Sequence, residues 1–455
     1  MKREDVRLAD VDARMDRLPV TALHLAVVGV CATGFAFDLF EMAMGNVLGA
    51  VFAAPGSGVS PTQLSWLLAS VYLGAIVGAP LLGHLSDRFG RRRMLAAALA
   101  WLTATSAWAM CSGDVVQLTV ARVLSGIALG AYPPLMMSYL TDLMPSRHRG
   151  RLILWTCGLA ALGLPGGVFL VRSLGSAAPL GVEPWRWAFL LGTLGAGVVS
   201  LLVLRLPESP RWLRARGRHG AAEAACRRFE RSRVVRLAGG AAETAGAGAT
   251  EASAGAGAGA AAAAAPADPR SPWPWVTGLF FLSPFATVAF PLLMGTVLTA
   301  RGFRLSDTLL FVGLSTFGPA IGSIASAWIA DRVERRLALG VCAVAMIASG
   351  WAFVGVESRF WLGVAAVVFG IAAILYTTAI NLYAAELFPT RQRASGTATA
   401  WACNRIGAAI GLLALLPLLQ RQGALVMFGV IGGSLVLSLA LLVAAPRGRV
   451  GQAVA

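Results

Sequence analysis

The chain contains twelve runs of about twenty mostly apolar residues, and these runs limit its fold more than any other feature. They lie near 22–50, 62–84, 92–112, 115–140, 151–173, 186–206, 274–299, 307–330, 337–356, 360–385, 394–419 and 423–445. A helix of about 20 apolar residues crosses the hydrocarbon core of a bilayer. Because the bilayer offers no water to the backbone, runs of this kind cross it as helices. We therefore predict an all-α membrane protein with twelve transmembrane helices, numbered here as spans 1 to 12.

Composition argues against a soluble protein. Of the 455 residues, 57% are hydrophobic and only 13% are charged, whereas soluble domains carry about 25% charged residues. A net charge of +16 would suggest nucleic acid as the partner of a soluble chain. Here the arginines lie between the apolar runs, as basic residues do in the loops that orient membrane proteins. We expect the chain to contact the lipid bilayer and no nucleic acid.

The sequence has no motif typical of an enzyme or a metal site. Its six cysteines form no Cys-x-x-Cys pair, so neither a disulfide framework nor a zinc site is indicated. The nucleotide-binding pattern GxxxxGK[ST], the metalloprotease pattern HExxH and the hydrolase pattern GxSxG do not occur. We therefore expect no enzymatic activity, no cofactor, no metal and no hydrolysis of ATP.

The distribution of basic residues predicts the orientation of the spans. If the N-terminus lies inside the cell, 30 of the 38 basic residues fall on the inner side and 6 on the outer side. Loops rich in Lys and Arg stay in the cytoplasm. We expect both termini in the cytoplasm and a multi-pass protein of the plasma membrane, specifically the bacterial inner membrane.

An internal repeat relates the two ends of the chain at a constant offset of 244 residues. The matches are Asp87-Arg88 with Asp331-Arg332, Gly74 with Gly318, Gly78 with Gly322, Gly126 with Gly370, Tyr139 with Tyr383, Pro145 with Pro389, Arg147 with Arg391 and Arg149 with Arg393. Two homologous halves with a site between them are a transporter architecture. Small residues let helices approach closely, so we expect tight packing at Gly74, Gly78, Gly83, Gly126 and Gly130.

The repeat divides the chain into five regions. We predict a cytoplasmic N-terminal segment (1–20), a first six-span bundle (21–206), a cytoplasmic loop (207–272), a second six-span bundle (273–446) and a cytoplasmic tail (447–455). In the loop, an Arg-rich part predicts amphipathic helices. The Ala/Gly tract 238–267 that follows is typical of a disordered linker.

Several motifs resemble those of the major facilitator superfamily. The run Gly83-His-Leu-Ser-Asp-Arg-Phe-Gly-Arg-Arg-Arg93 resembles its loop 2–3 signature, and Arg122-Val-Leu-Ser-Gly126 resembles its span 4 motif. The segments around Asp142 and Glu386 resemble its loop 4–5 and loop 10–11 signatures. This resemblance implies two pseudo-symmetric six-helix bundles, and we also expect a monomer. We interpret the charged residues and glycines of these motifs as gates between the halves: Gly83, Asp87, Arg88, Gly90, Arg91, Arg92, Asp142, Arg149, Asp331, Arg332, Glu386 and Arg393.

Two further motifs narrow the resemblance. Pro207-Glu-Ser-Pro-Arg-Trp212 is similar to the end of span 6 in sugar porters and related metabolite:proton symporters. Span 1, with Phe35-Ala-Phe-Asp-Leu-Phe-Glu41, is similar to that of symporters for metabolites, niacin and aromatic acids. Sugar porters carry paired glutamines in span 7, whereas residues 279–291 contain none. That difference disfavours a hexose as the substrate.

We predict a secondary active transporter that takes up a small organic metabolite, such as an organic or aromatic acid, together with protons by alternating access. Three alternatives stay open. One is a proton-coupled antiporter that exports drugs or metabolites, since Gly158 to Gly167 in span 5 loosely resembles the antiporter signature. The others are a sugar or polyol porter and a membrane sensor that does not transport.

Four charged residues lie within the spans. Asp38 and Glu41 are one turn apart on span 1, and intramembrane charges mark a pathway by default. The resemblance implies that Asp38 couples protons and that Arg122 in span 4 is its partner. We therefore assign proton coupling to Asp38, Glu41 and Arg122, with an Asp38–Arg122 ion pair that opens when Asp38 is protonated.

The fourth charge, Arg405 in span 11, is a candidate for the acid group of the substrate. A guanidinium binds a carboxylate through two hydrogen bonds. Its equivalent in the first half is Ala161, and that of Arg122 is Ala366, so each arginine belongs to one half. The remaining candidates for substrate binding are Tyr376, Asn381, Trp401 and Asn404.

Overall fold

The structure of the chain is a computed structural model. It describes residues 11, 13–54, 56–174, 181–235, 273–329, 333–387 and 393–445, with the side chains of 324–329, 385–386, 393–395 and 397–398 left out. Within these ranges the chain forms helices and connecting loops, together with one isolated β-bridge between Thr21 and Val234.

Twelve of the described helices are long and apolar enough to cross a membrane, which confirms the predicted fold class. In order they are Ala22–Phe52, Pro61–Phe89, Arg91–Cys111, Val115–Leu143, Ser146–Leu174, Pro184–Arg205, Trp273–Ala300, Leu305–Ser323, Arg335–Gly355, Arg359–Ala384, Thr399–Gln422 and Ala424–Ala444. Spans 2 and 3 are separated by a single residue, Gly90. Most of the motif predicted as a loop is therefore helical.

Three spans that the sequence predicts as continuous are interrupted. Span 5 consists of Arg149–Ala160 and Gly163–Leu174, and span 8 of Leu305–Ser315 and Phe317–Ile329. Span 7 contains a π-helical turn, Phe285–Ala289, directly after Pro284. A proline lacks the backbone N–H that a regular helix needs, which explains the widened turn.

The glycines of the repeat hold the same helix pair together in each half. A Cβ atom on Gly74 would lie 1.9 Å from the carbonyl oxygen of Val123, and one on Gly126 would lie 2.2 Å from that of Val71. Their equivalents Gly318 and Gly370 bring spans 8 and 10 into similar backbone contact. The expectation for Gly83 is wrong, because nothing lies within 4 Å of its Cβ position.

The two ends of the helix bundle differ in their contacts. The end at which spans 2, 4 and 6 finish is called here the basic face, and the other end the opposite face. On the opposite face, Thr296 in span 7 donates a hydrogen bond to the carbonyl oxygen of Gly49 in span 1 (3.3 Å). A Cβ atom on Gly295 would lie 2.9 Å from that of Ala50, and Arg172 bonds to the carbonyl oxygen of Ser306 (3.1 Å). The two halves therefore close against each other on the opposite face.

The central segment begins with two short helices on the basic face, Pro210–Ala215 and His219–Glu230, in the region where the sequence predicts amphipathic helices. The N-terminal segment packs beside them, with Val11 and Met15 buried in the same apolar cluster as Phe229. The Ala/Gly tract 238–267, the tail 447–455 and residues 1–10 lie outside the described residues.

Candidate substrate and proton site

Glu41 is the centre of a buried polar cluster that joins four spans. Its carboxylate accepts a hydrogen bond from Nη1 of Arg122 (2.9 Å) and another from the hydroxyl of Ser106. Arg122 also donates through Nη2 to the backbone carbonyl of Glu41 (3.1 Å), and its guanidinium lies 5.7 Å from the ring centre of Phe189. Both charged side chains are almost wholly buried. Spans 1, 3, 4 and 6 thus meet at a satisfied ion pair.

This geometry corrects the predicted partner of Arg122, which is Glu41 and not Asp38. The two acids are three residues apart on one helix, so a difference of one turn in the height of span 4 decides which of them it meets. Neither composition nor spacing determines that height. The prediction therefore identified the intramembrane charges but paired them wrongly.

Asp38 is buried without a complete set of hydrogen bonds. Its Oδ1 atom has no hydrogen-bond partner among the described residues. Its charge interacts with those of Arg405 in span 11 and Glu41 in span 1, and Tyr132 in span 4 lies near it. A buried carboxylate without partners is costly, so this position favours an acid that changes its protonation state.

Arg405 extends from the second half toward the first. Its guanidinium carbon lies 5.9 Å from the ring centre of Tyr72 in span 2 and 5.6 Å from that of Trp401. The side chain is only partly buried, and no ion pair with Asp38 occurs in the part of the chain that the structure describes. Arg405 is therefore a cation held between two aromatic rings, with its hydrogen-bonding edge available to an anion.

The other predicted binding residues differ in their surroundings. Trp401 is partly exposed and packs edge-on against Phe280. Asn404 instead donates to span 7, through the carbonyl oxygen of Phe280 (3.3 Å) and the hydroxyl of Ser283 (3.1 Å). Asn381 donates to the carbonyl oxygen of Thr377 in its own helix (2.8 Å). The structure thus brings Trp401 beside Arg405, while Asn404 and Asn381 bond to backbone and neighbouring spans.

Tyr376 is fully buried in the apolar core rather than lining the space around Arg405. Two residues that the sequence analysis missed take part in the polar clusters, namely Tyr72 and Ser106. Both lie in otherwise apolar spans, but single Tyr and Ser residues are frequent there. Their positions became informative only through the charged residues they contact.

On the basic face, four of the predicted gate residues of the first half, Asp87, Arg91, Arg92 and Asp142, form one connected network. Arg91 bonds to Asp87 (2.6 Å) and lies 3.7 Å from Asp142, which accepts a hydrogen bond from Ser209 (2.8 Å). Glu208 accepts from the backbone N–H of Arg92 (2.9 Å). These contacts join spans 2, 3 and 4 to the motif that follows span 6.

The remaining gate residues have varied surroundings. Gly90 has a φ of +111° and faces Glu208, whose carboxylate oxygen would lie 2.5 Å from a Cβ atom, so this junction requires glycine. Arg88 is exposed beside Phe89, and Arg149 bonds to Asp16 (3.0 Å). Asp331 and Arg332, together with the side chains of Glu386 and Arg393, lie outside the described residues.

Comparison with known proteins agrees with this architecture. A family model described as Major Facilitator Superfamily matches residues 27–412. The chain is 26% identical to a putative metabolite transport protein, YyaJ, of Bacillus subtilis over 92% of this chain and 91% of that protein. It is 25% identical to the niacin transporter NiaP of Acinetobacter baylyi, with 88% of each chain covered.

Among solved structures, the xylose transporter XylE of E. coli in a partially occluded inward-open conformation superposes with a TM-score of 0.71. The match covers 95% of this chain and 100% of that one at 20% identity, which establishes likeness of fold alone. The family match spans most of the chain and both halves of the repeat. The chain therefore belongs to the Major Facilitator Superfamily and is a multi-pass membrane transporter rather than an enzyme.

Proposed function

We propose that the protein takes up a small organic acid, with an aromatic carboxylate as the preferred class, together with protons. The observation that carries the proposal is the position of Arg405 between the rings of Tyr72 and Trp401. The carboxylate of the substrate would bind the guanidinium, and its ring would pack against the aromatic side chains. Similarity to a niacin transporter supports this class, since niacin is itself an aromatic carboxylic acid.

Proton coupling follows from the acid that shares this cation. Arg122 is already occupied by Glu41, whereas Asp38 interacts with Arg405 without forming an ion pair. A substrate carboxylate on Arg405 would place a second negative charge near Asp38, and two neighbouring carboxylates resist being ionised together. Binding of the substrate would therefore favour protonated Asp38, so that acid and proton cross together. This replaces the predicted Asp38–Arg122 pair.

The site lies between the two halves, as alternating access requires. Asp38 and Tyr72 belong to the first half, and Arg405 and Trp401 to the second. The charge bias of the loops would place the basic face in the cytoplasm of a bacterial cell. The closed opposite face would then make this an inward-facing state of a monomeric transporter.

The test is uptake into proteoliposomes with nicotinate and its neutral analogue nicotinamide as probes. With an inward proton gradient, we expect the protein to concentrate nicotinate. Replacing Arg405 by Gln should lower nicotinate uptake about 10- to 100-fold, the range for hydrogen bonds to charged groups, and should affect nicotinamide much less. Arg421→Gln, at the far end of the same span, is the matched control.

Two results would contradict the proposal. If Arg405→Gln lowered the uptake of nicotinate and of nicotinamide equally, Arg405 would not be the residue that binds the substrate carboxylate. Uptake of xylose in place of the acids would favour the sugar or polyol porter, the alternative that the XylE fold keeps in view. Export of nicotinate driven by an inward proton gradient would instead indicate the antiporter.

A further inference from the structure

We propose that Asp16, in the segment before span 1, is a gating residue that stabilises the state in which the opposite face is closed. Its carboxylate oxygen Oδ1 accepts hydrogen bonds from Arg149 (3.0 Å) and Arg211 (2.7 Å). Arg149 begins span 5, and Arg211 lies in the helix after span 6. No motif of the sequence includes Asp16, yet Asp16 bonds to two residues, Arg149 and Arg211, that each belong to a motif.

The segment around Asp16 is held on both sides. The backbone carbonyl of Asp16 accepts from the hydroxyl of Ser146 (3.3 Å). Two residues earlier, Arg14 bonds to Glu223 (2.9 Å) and Glu230 (2.7 Å) in the helix His219–Glu230. Met15 between them is buried in the apolar cluster. The segment is therefore fixed in place, so that Asp16 can restrain the helices it bonds to.

Span 5 is the element that such a restraint would control. It is broken between Ala160 and Gly163, and a break of this kind allows the basic-face part, Arg149–Ala160, to swing relative to the rest. That part contacts Phe317–Ile329, which is the basic-face part of the broken span 8. Phe317, directly after the break in span 8, meets Phe169 in the second helix of span 5 with ring centres 6.1 Å apart.

The hinged part of span 5 thus contacts the second half through Phe317–Ile329, and its first residue, Arg149, is bonded to Asp16. A clamp at Arg149 opposes any swing of this part. If the swing accompanies the opening of the opposite face, removing the clamp shifts the equilibrium toward the open state. Partly exposed ion pairs contribute modestly, so the expected shift is about three- to tenfold.

The test compares the wild-type full chain with Asp16→Asn in lipid nanodiscs by hydrogen–deuterium exchange. We expect exchange about three- to tenfold faster in two places: at Arg149–Ala160, and on the opposite face at Gly45–Phe52 and Gly295–Ala300. Asp16→Glu should restore most of the protection. Arg231→Gln, which removes an exposed charge on the same face just after the helix His219–Glu230, should leave both places unchanged.

Three outcomes would overturn the proposal. Unchanged exchange at Arg149–Ala160 would show that Asp16 restrains nothing. A rise confined to the basic face would make Asp16 a local contact with no part in gating. A rise throughout all spans, unrescued by Asp16→Glu, would indicate general destabilisation. The proposal rests on alternating access but not on the proposed substrate or on protons, so these outcomes are distinguishable from a failure of the acid-symport function.

Discussion

Asp38 and Glu41 are identical functional groups one turn apart on span 1, and their surroundings differ. Glu41 is neutralised by Arg122 and bonded to Ser106, whereas Asp38 Oδ1 has no hydrogen-bond partner within the described ranges. A satisfied buried pair is a structural element that is expensive to break. An unsatisfied acid near a cation can exchange protons with less rearrangement.

We therefore expect Asp38→Asn to uncouple transport from protons. In proteoliposomes the variant should lose uphill uptake of nicotinate but keep exchange of nicotinate across the membrane. Because the neutral amide no longer repels the substrate carboxylate, binding at neutral pH should strengthen about tenfold. In the wild type, binding should strengthen as pH falls and Asp38 takes up a proton, whereas the variant should lose this dependence.

The control removes the other acid together with its partner. Glu41→Gln combined with Arg122→Gln deletes both charges of the buried pair, and such replacements are often tolerated. This double variant should still couple uptake to protons, because it keeps Asp38 together with its neighbours Arg405 and Tyr132. Loss of coupling in the double variant with coupling intact in Asp38→Asn would reverse the assignment.

The N-terminal segment is attached to the basic face by side-chain ion pairs and by backbone hydrogen bonds, and not by a continuous helix. Arg14 bonds to Glu223 and Glu230, and the backbone of Val20 and Ala22 pairs with Arg233 and Val235 (2.8 Å each). The hydrogen bonds from Arg14 lower the pKa of Glu223, and those with Glu223 and Glu230 raise the pKa of Arg14. The attachment of the segment thus depends on an ionised Glu223.

Acid should release this segment. Attachment of the segment lowers the pKa of Glu223. The contribution of this carboxylate to the attachment is therefore complete at pH values above the ordinary pKa of glutamate, and it is lost as the pH falls through the lowered pKa. A nitroxide label at exposed position 17, as Arg17→Cys with Cys111→Ser, should become more mobile at low pH. Adding Glu223→Gln should make the label mobile at every pH. An immobile label in that variant would show that Glu223 does not hold the segment.

The elements themselves were largely predictable. Hydrophobic length determines a membrane span, so all twelve spans were found within a few residues. The breaks in spans 5 and 8 were not predictable, because contacts between helices, such as that of Gly163 with the backbone of Ala36 in span 1, cannot be read from hydrophobic length. The charged residues of the site were evident from their rarity in apolar runs. Their pairing was not, since it depends on the relative heights of packed helices.

The closed opposite face defines the state of the transporter. Spans 1 and 7 approach so closely that Gly49 and Thr296 share a hydrogen bond and Ala50 faces Gly295. Alternating access requires these contacts to separate once in every cycle. Any bond that prevents the separation should stop transport.

A disulfide between Ala50→Cys and Gly295→Cys should lock the molecule in this state. The two Cβ positions are close enough for a disulfide after a small shift. Under oxidising conditions we expect nicotinate uptake by the double variant to fall to background, and a reductant should restore it. The single variant Ala50→Cys is the control and should transport in both conditions. Full transport with the disulfide formed would mean that these spans need not part.

The glycine contacts of spans 2 and 4, repeated in spans 8 and 10, have a consequence for how such a transporter can evolve. They set the helix spacing of each half through backbone contact, independently of the side chains on the remaining faces. Arg122 and Arg405 each lack a counterpart in the other half. After duplication, one copy could therefore lose or gain charge while the shared frame stayed intact. New substrate preferences can arise in this lineage by single substitutions at the site between the halves, without a change in the packing of the helices.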